Sequence, residues 1–299
     1  MDIDLRLHEW LHLLLRWTHV LAGIMWIGDS FLFMWLDRTL TPPDPPREGV
    51  TGELYMVHGG GYYQVEKRPF QPGKLPPVLH WFKWESATTW LSGFFLLLTV
   101  FYLGGAMLLV NPDGPSLSAP AAMALGLALL PIAWLVYDVL WKSPLGKSAP
   151  VAGSICLALF TALSYGLTRV FNGRAAFMHV GAVLGTIMVA NVWMLILPNQ
   201  RRMLGKIARG EAVDPAPGLA AKKRSTHNTY MTLPVLFIMV SNHFPTTYGS
   251  RWNWLVLVLL SLAGAAVRHF MLVRTKRVAW LLAAATAIVV FVYWICGKG

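Results

Sequence analysis

The chain has 299 residues, 56% of them hydrophobic and only 13% charged, with 14 tryptophans. That composition excludes an ordinary water-soluble globule and points to an integral membrane protein solvated by lipid. The formal charge of +11 would suit a nucleic-acid binder, but the basic residues are spread as a topology signal and not gathered into a patch, so no nucleic-acid partner is expected.

A hydrocarbon core about 30 Å thick requires roughly 20 apolar residues per helical crossing. Eight runs meet that demand, at about 11–36, 84–110, 119–141, 151–171, 175–198, 228–245, 252–272 and 278–296. Because backbone in lipid must satisfy its own hydrogen bonds, the expected fold is an all-α polytopic bundle of about eight transmembrane helices forming a single membrane domain. Nineteen of the 25 Lys and Arg fall in alternate inter-helix segments or, for Arg268, in the adjoining helix end. The positive-inside rule then places both termini outside.

The first run opens after MDIDLRLHEW, which is acidic and lacks the basic start of a signal peptide, so this helix is expected to be retained. It carries His12, His19 and Trp26 at intervals of seven, nearly aligned on one stripe. His19 is the deepest histidine, while His8 and His12 lie at an interfacial start. Asp29 sits near the middle of the run, where insertion costs about 2.5–3.5 kcal/mol. It must be paired, protonated or wet, and is read as a proton-path or helix-pairing residue.

A cytoplasmic loop follows at about 37–83. TPPDPP cannot continue a helix, and HGGGYYQVEKRPF has the turn glycines and aromatics of a short hairpin. Its glycine triplet lacks the lysine motif of a phosphate-binding loop. Helix two begins VLHWFKWES, setting His80, Lys83 and Glu85 at the inner boundary. Asp138 is an ordinary boundary charge at the inner end of helix three, and His179 lies about one turn into helix five from outside. The second cytoplasmic loop, about 199–227, reads as an interfacial basic helix followed by a Pro-rich link.

Helix six is bracketed by His227-Asn228 and Asn242-His243, with Pro234 between them able to kink it. Sixteen residues separate the two histidines, about 24 Å along a straight helix and about 160° around it, so one ligand cannot bridge them. His269 closes helix seven at the inner boundary. The histidines thus divide into an inner group (His80, His227, His269) and an outer group (His19, His179, His243). Imidazole ligates haem or copper and also moves protons near neutral pH. The two cysteines, Cys156 and Cys296, cannot build a disulfide framework or thiolate cage, and no C-x-x-C-H site for covalent c-type haem is present.

RWTHVLAGIMWIGDSFLFMWLD, LHWFKWES, MHVGAVLGTIMVANVWMLILPNQ and above all THNTYMTLPVLFIMVSNHFP resemble the membrane-bound urate oxidase (urate hydroxylase) family over nearly the whole chain. The resemblance implies eight membrane helices in a bacterial inner membrane, often followed by a c-type cytochrome domain. It also implies oxidation of urate to 5-hydroxyisourate in purine catabolism, with electrons passed to the cytochrome. This sequence ends at CGKG without a haem-attachment motif, so the cytochrome is expected on a longer chain or as a separate partner.

On that basis His80, Glu85, His227 and His269 are the expected catalytic residues, with Asn228 and Lys83 binding urate and Asp29 on a proton path. His19, His179 and His243 are the expected ligands of b-type haem, with copper as the lesser choice, near the outer face. The rival readings are a purine or urate transporter or channel, and a haem-bearing anchor for another catalytic subunit.

Overall fold

The computed structural model describes residues 4–103, 107–115, 117–212 and 214–297. Residues 104–106 of the expected second span, the first three residues, Val213 in the second loop and the C-terminal Lys298 lie outside the described residues.

Helices occur at all eight expected positions: α1 (Leu5–Thr39), α2 (Trp84–Leu97), α3 (Ala119–Lys142), α4 (Ala149–Val170), α5 (Gly173–Ala190), α7 (Ala216–Ser241), α9 (Asn253–Val273) and α10 (Trp280–Cys296). Two more are α6 (Leu197–Ala208) and the four-residue α8 (Pro245–Tyr248). Among the described residues, six helical segments are long and apolar enough to cross a membrane: α1, α3, α4, the continuous α5–α6, α9 and the segment ending in α10. The molecule is therefore a multi-pass helical membrane protein. Its large apolar side chains, such as Trp17 (68% exposed), Val139 (65%) and Tyr293 (82%), lie on the outer surface, where only lipid can cover them.

The two remaining helices show why apolar run length misjudges them. The α-helical part of α2 stops at Leu97 and a wider π-turn continues over Leu98–Tyr102. The span expected to reach 110 therefore ends as a helix near Tyr102, and Val110 instead pairs with Phe171. The long second loop is also shorter than expected. α6 occupies 197–208 and α7 starts at Ala216, because Pro217 falls in its first turn, where a missing N–H costs nothing. Lys222, Lys223 and Arg224 therefore ride on the helix that carries the THNTY motif.

Two strands form the hairpin expected at HGGGYYQVEKRPF. β1 (Gly52–His58) pairs antiparallel with β2 (Gly61–Lys67), and Gly59 and Gly60 both have positive φ in the two-residue turn, as such turns require. Lys67 forms an ion pair with Asp37 at the end of α1, and Arg47 spans Glu53 and Glu66. The Arg68 guanidinium, 2.7 Å from Glu66, and Arg47 beside it hold the Glu66 carboxyl below the usual carboxylate range. Its contribution is therefore complete above the ordinary glutamate pKa and disappears as pH falls through the depressed value. Amide exchange in β1 and β2 is expected to accelerate across that acid window in the wild type, and to show a weaker pH response in Glu66→Gln.

α5 is the centre of the bundle. It packs against α2, α3, α4 and α7, and its Ala175, Ala176, Phe177, Val180 and His179 are all fully buried. α1 lies along α2, and α10 along α9. Arg38 at the end of α1 donates to the terminal carbonyls of Leu272 and Val273 in α9, satisfying orphan acceptors at that helix end.

Candidate functional site

A cavity of about 150 Å³ lies inside the bundle, walled by α1, α2, α3, α5 and α7. Small residues make the space: Gly23 on α1, Gly93 on α2, and Gly181 and Gly185 on α5. Most of the wall is apolar, with Trp26, Phe94, Leu130 and Met178 among its members. The polar groups are few: Arg16 and His19 from α1, Thr89 and Trp90 from α2, Arg174 and Thr186 from α5, and Thr232 and Asn242 from α7. A concave, mostly apolar space with a few convergent polar groups is the usual form of a small-molecule site.

His19 is the one expected site residue that lines this cavity. Its Nδ1 lies 2.8 Å from the Thr89 carbonyl oxygen. A carbonyl can only accept, so Nδ1 carries the proton and Nε2 keeps its lone pair, with no hydrogen-bond partner among the described residues. The ring rests on Gly93, where an added Cβ would sit 2.6 Å from His19 Cε1. Arg174 donates from Nε to Asn242 Oδ1 at 2.5 Å, and Arg16 donates to His12 Nε2 at 2.9 Å. Trp90 Nε1 donates to Thr186 Oγ1 at 2.9 Å. The cavity therefore holds one imidazole acceptor and two guanidinium groups whose contacts within the described residues are with neutral side chains.

The other outer histidines stand apart. His179 is fully buried, and both of its nitrogens are engaged: Nδ1 donates to Ala175 O at 2.8 Å and Nε2 accepts from the Tyr102 hydroxyl at 2.8 Å. Gly126 leaves room for this pair, since a Cβ there would collide with the Tyr102 hydroxyl and His179 Nε2. His243 is exposed beyond the end of α7.

The three residues expected to hold a haem are thus not brought together. His179 has both nitrogens occupied and His243 lies outside the cavity, so of the three only His19 presents a nitrogen to it. For copper, among the described residues no three His, Cys, Asp or Glu side chains converge.

At the inner boundary the expected catalytic residues separate into three places, and the THNTY motif explains how. Successive residues of α7 step about 100° around the axis and so meet four different neighbours. His227 Nδ1 pairs with the Tyr137 hydroxyl on α3 at 2.6 Å, against the Trp141 ring. Asn228 donates to Met188 O at 2.9 Å and accepts from Asn191 at 2.9 Å. Thr229 contacts Met34 on α1, and Tyr230 pairs with His269 Nδ1 on α9 at 2.7 Å.

Asn191 opens the π-turn between α5 and α6 and also donates to the Tyr137 oxygen at 3.2 Å. The Tyr137 proton therefore goes to His227 Nδ1, which fixes the imidazole as the Nε2–H tautomer. None of His227, Asn228 or His269 lines the cavity.

His80, Lys83 and Glu85 lie at the start of α2. His80 packs edge-on to Phe82, Lys83 lies over the Trp84 ring, and Asp29 is within electrostatic range of Glu85 and His80. Asp29 therefore joins this group instead of standing alone, one turn below Trp26 on the cavity wall. Glu85 Oε2 is buried without a hydrogen-bond partner among the described residues.

Sequence reading missed several polar residues. Arg16 lies one turn before His19 on the same stripe, a findable signal, but along the chain both it and Arg174 count only as topology charges. Tyr137, Asn191 and Tyr230 carry no sequence signal, because their partners come from other helices. Asp138 has the sequence position of an ordinary boundary charge, yet it is buried between Arg224 (2.8 Å) and Lys142 (2.6 Å). Arg268 is only 3% exposed and has no ion-pair partner among the described residues; its guanidinium lies 3.7 Å over the Phe31 ring and near Met34.

Fold and cavity together define a multi-pass helical membrane protein with a mostly apolar interhelical cavity that carries a few polar groups. A family model described as "Urate oxidase N-terminal" matches residues 5–296, and the chain belongs to that family. No curated protein and no solved structure matches it.

Proposed function

We propose that this chain oxidises urate to 5-hydroxyisourate inside the α1–α2–α5–α7 cavity and passes the electrons to a c-type cytochrome. The observation that carries this reading is His19, whose tautomer leaves an acceptor nitrogen beside a cavity that also holds Arg16 and Arg174. Urate is largely a monoanion at neutral pH, and two guanidinium groups in an apolar surround suit a planar anion. The family assignment supplies the urate connection.

The overall change adds one water to urate and releases two protons and two electrons. His19 takes a proton from the ring N–H or from the attacking water as electrons leave, and water provides the hydroxyl. Asp29, Glu85 and His80 form the route by which protons leave towards the basic face. On this reading the chain crosses a bacterial inner membrane eight times, with both termini and the cytochrome on the outer side. His227, Asn228 and His269, the sequence-based choices for the substrate site, serve instead as helix-joining groups.

The test is urate-dependent reduction of a c-type cytochrome by the purified protein in lipid nanodiscs, with 5-hydroxyisourate identified as product. Absence of both reduction and product sinks the reading. A carrier that moves urate without oxidising it is the second reading, favoured by the two π-turns and by Pro234 within α7. Labelled urate entering liposomes unchanged selects it.

A further inference from the structure

A second concavity borders α3 and shares no lining residue with the first. α3 and α4 form an antiparallel hairpin closed by a single 3-10 turn at Pro144–Lys147. Between them runs an open apolar groove of about 490 Å³, lined by Leu135, Val136, Val139, Leu145, Ile155 and Leu159. Val139 is 65% exposed, Leu135 51% and Leu145 50%, so the groove opens to the bilayer. Acyl chain is the solvent that such a groove meets.

The closed end of the groove is strongly basic. Residues 138–147 and 222–224 carry Lys142, Lys147, Lys222, Lys223 and Arg224 against one carboxylate, Asp138. Asp138 is already shared between Arg224 and Lys142, so it cannot neutralise both. Lys223 reaches across to the turn, donating to Gly146 O at 2.8 Å over the Trp141 ring. Arg224 is 4% exposed, and its Nη1 is buried with no hydrogen-bond partner among the described residues. The turn that closes the groove thus carries a net positive charge, with Lys147 and Lys223 having no carboxylate partner among the described residues, and an apolar groove ending in cations is complementary to an anionic amphiphile.

We propose that the α3–α4 groove is a binding site for an anionic phospholipid, with its phosphate at Lys142, Lys147 and Lys223 and an acyl chain along the groove. Each lysine near an anionic headgroup contributes about 1 kcal/mol, which is roughly fivefold in affinity. The site stands independently of urate chemistry.

The experiment compares protein in phosphatidylcholine nanodiscs with protein in discs that also contain phosphatidylglycerol. Thermal midpoint and the lipid retained in native mass spectrometry are both read. Wild type is expected to gain a few degrees and to retain phosphatidylglycerol. Combined Lys142→Gln, Lys147→Gln and Lys223→Gln loses most of that gain and retention, and the arginine versions of the same three changes keep them.

An unchanged lipid-dependent shift in the glutamine variant overturns the proposal. So does an equal shift produced by inorganic phosphate, or a lipid-insensitive dimer formed through this face. Each variant is compared with itself in two lipids, so a uniform loss of stability leaves the lipid-dependent difference readable.

Discussion

Replacing His19 with alanine is expected to lower urate-dependent cytochrome reduction by about 10²- to 10⁴-fold, the range that a positioned proton acceptor contributes. The expectation follows from the Thr89 carbonyl, which holds the proton on Nδ1 and leaves Nε2 free at the cavity. Alanine also removes the ring that rests on Gly93, so folding is checked separately by thermal midpoint, and urate affinity by equilibrium binding. A lost proton acceptor appears in kcat with binding retained. On the proposed reading Arg16→Gln and Arg174→Gln should chiefly raise KM, since charge that held the anion in ground and transition state alike would be removed. A His19→Ala variant with near wild-type turnover would move the reaction out of this cavity.

The second large effect is on stability. Asp138→Ala is expected to destabilise the protein by about 3–5 kcal/mol, because it leaves the Arg224 cation buried without its counter-charge. Arg224 is 4% exposed and 2.8 Å from Asp138, so water cannot replace the carboxylate easily. The double change Asp138→Leu with Arg224→Met removes both charges and is expected to recover most of the loss. Unfolding monitored by tryptophan fluorescence under denaturant in mixed micelles reads both variants. If Asp138→Ala alone costs nothing measurable, Asp138 is the boundary charge that its sequence position suggests, with water enough to solvate Arg224.

Much of the architecture was legible along the chain, and for a physical reason. A helix in lipid is specified by local properties: the length of an apolar run, the charges that stop it, and the proline or glycine that follows. Helices stand at all eight expected positions, and the hairpin stands where two turn glycines flank aromatics. The misjudged ends were decided by neighbours. Val110 leaves its expected helix to pair with Phe171. The basic segment before the THNTY motif became helix because Arg224 and Lys223 find partners on α3 and in the α3–α4 turn.

The site was legible only in part. His19, Trp26 and their seven-residue spacing marked the inner stripe of α1, and that stripe does line the cavity together with Arg16. Grouping histidines by depth was less informative, because depth along a helix says nothing about direction around it. His179 and His19 share a leaflet, yet one is sealed between Tyr102 and Ala175 while the other faces open space. His227 and Tyr230 are neighbours in sequence, yet they bind different helices.

The sequence by itself determined that this is a helical membrane protein, roughly where its helices run, which residues are costly at depth, and which family its motifs resemble. These are properties of segments taken one at a time. Only the tertiary structure decided that His19 is open and His179 closed, that Asp29 belongs with Glu85 and His80, and that THNTY is a four-way joint between helices. Those outcomes depend on rotation about each helix axis and on which glycines allow close approach. They arise from packing between segments far apart in the chain.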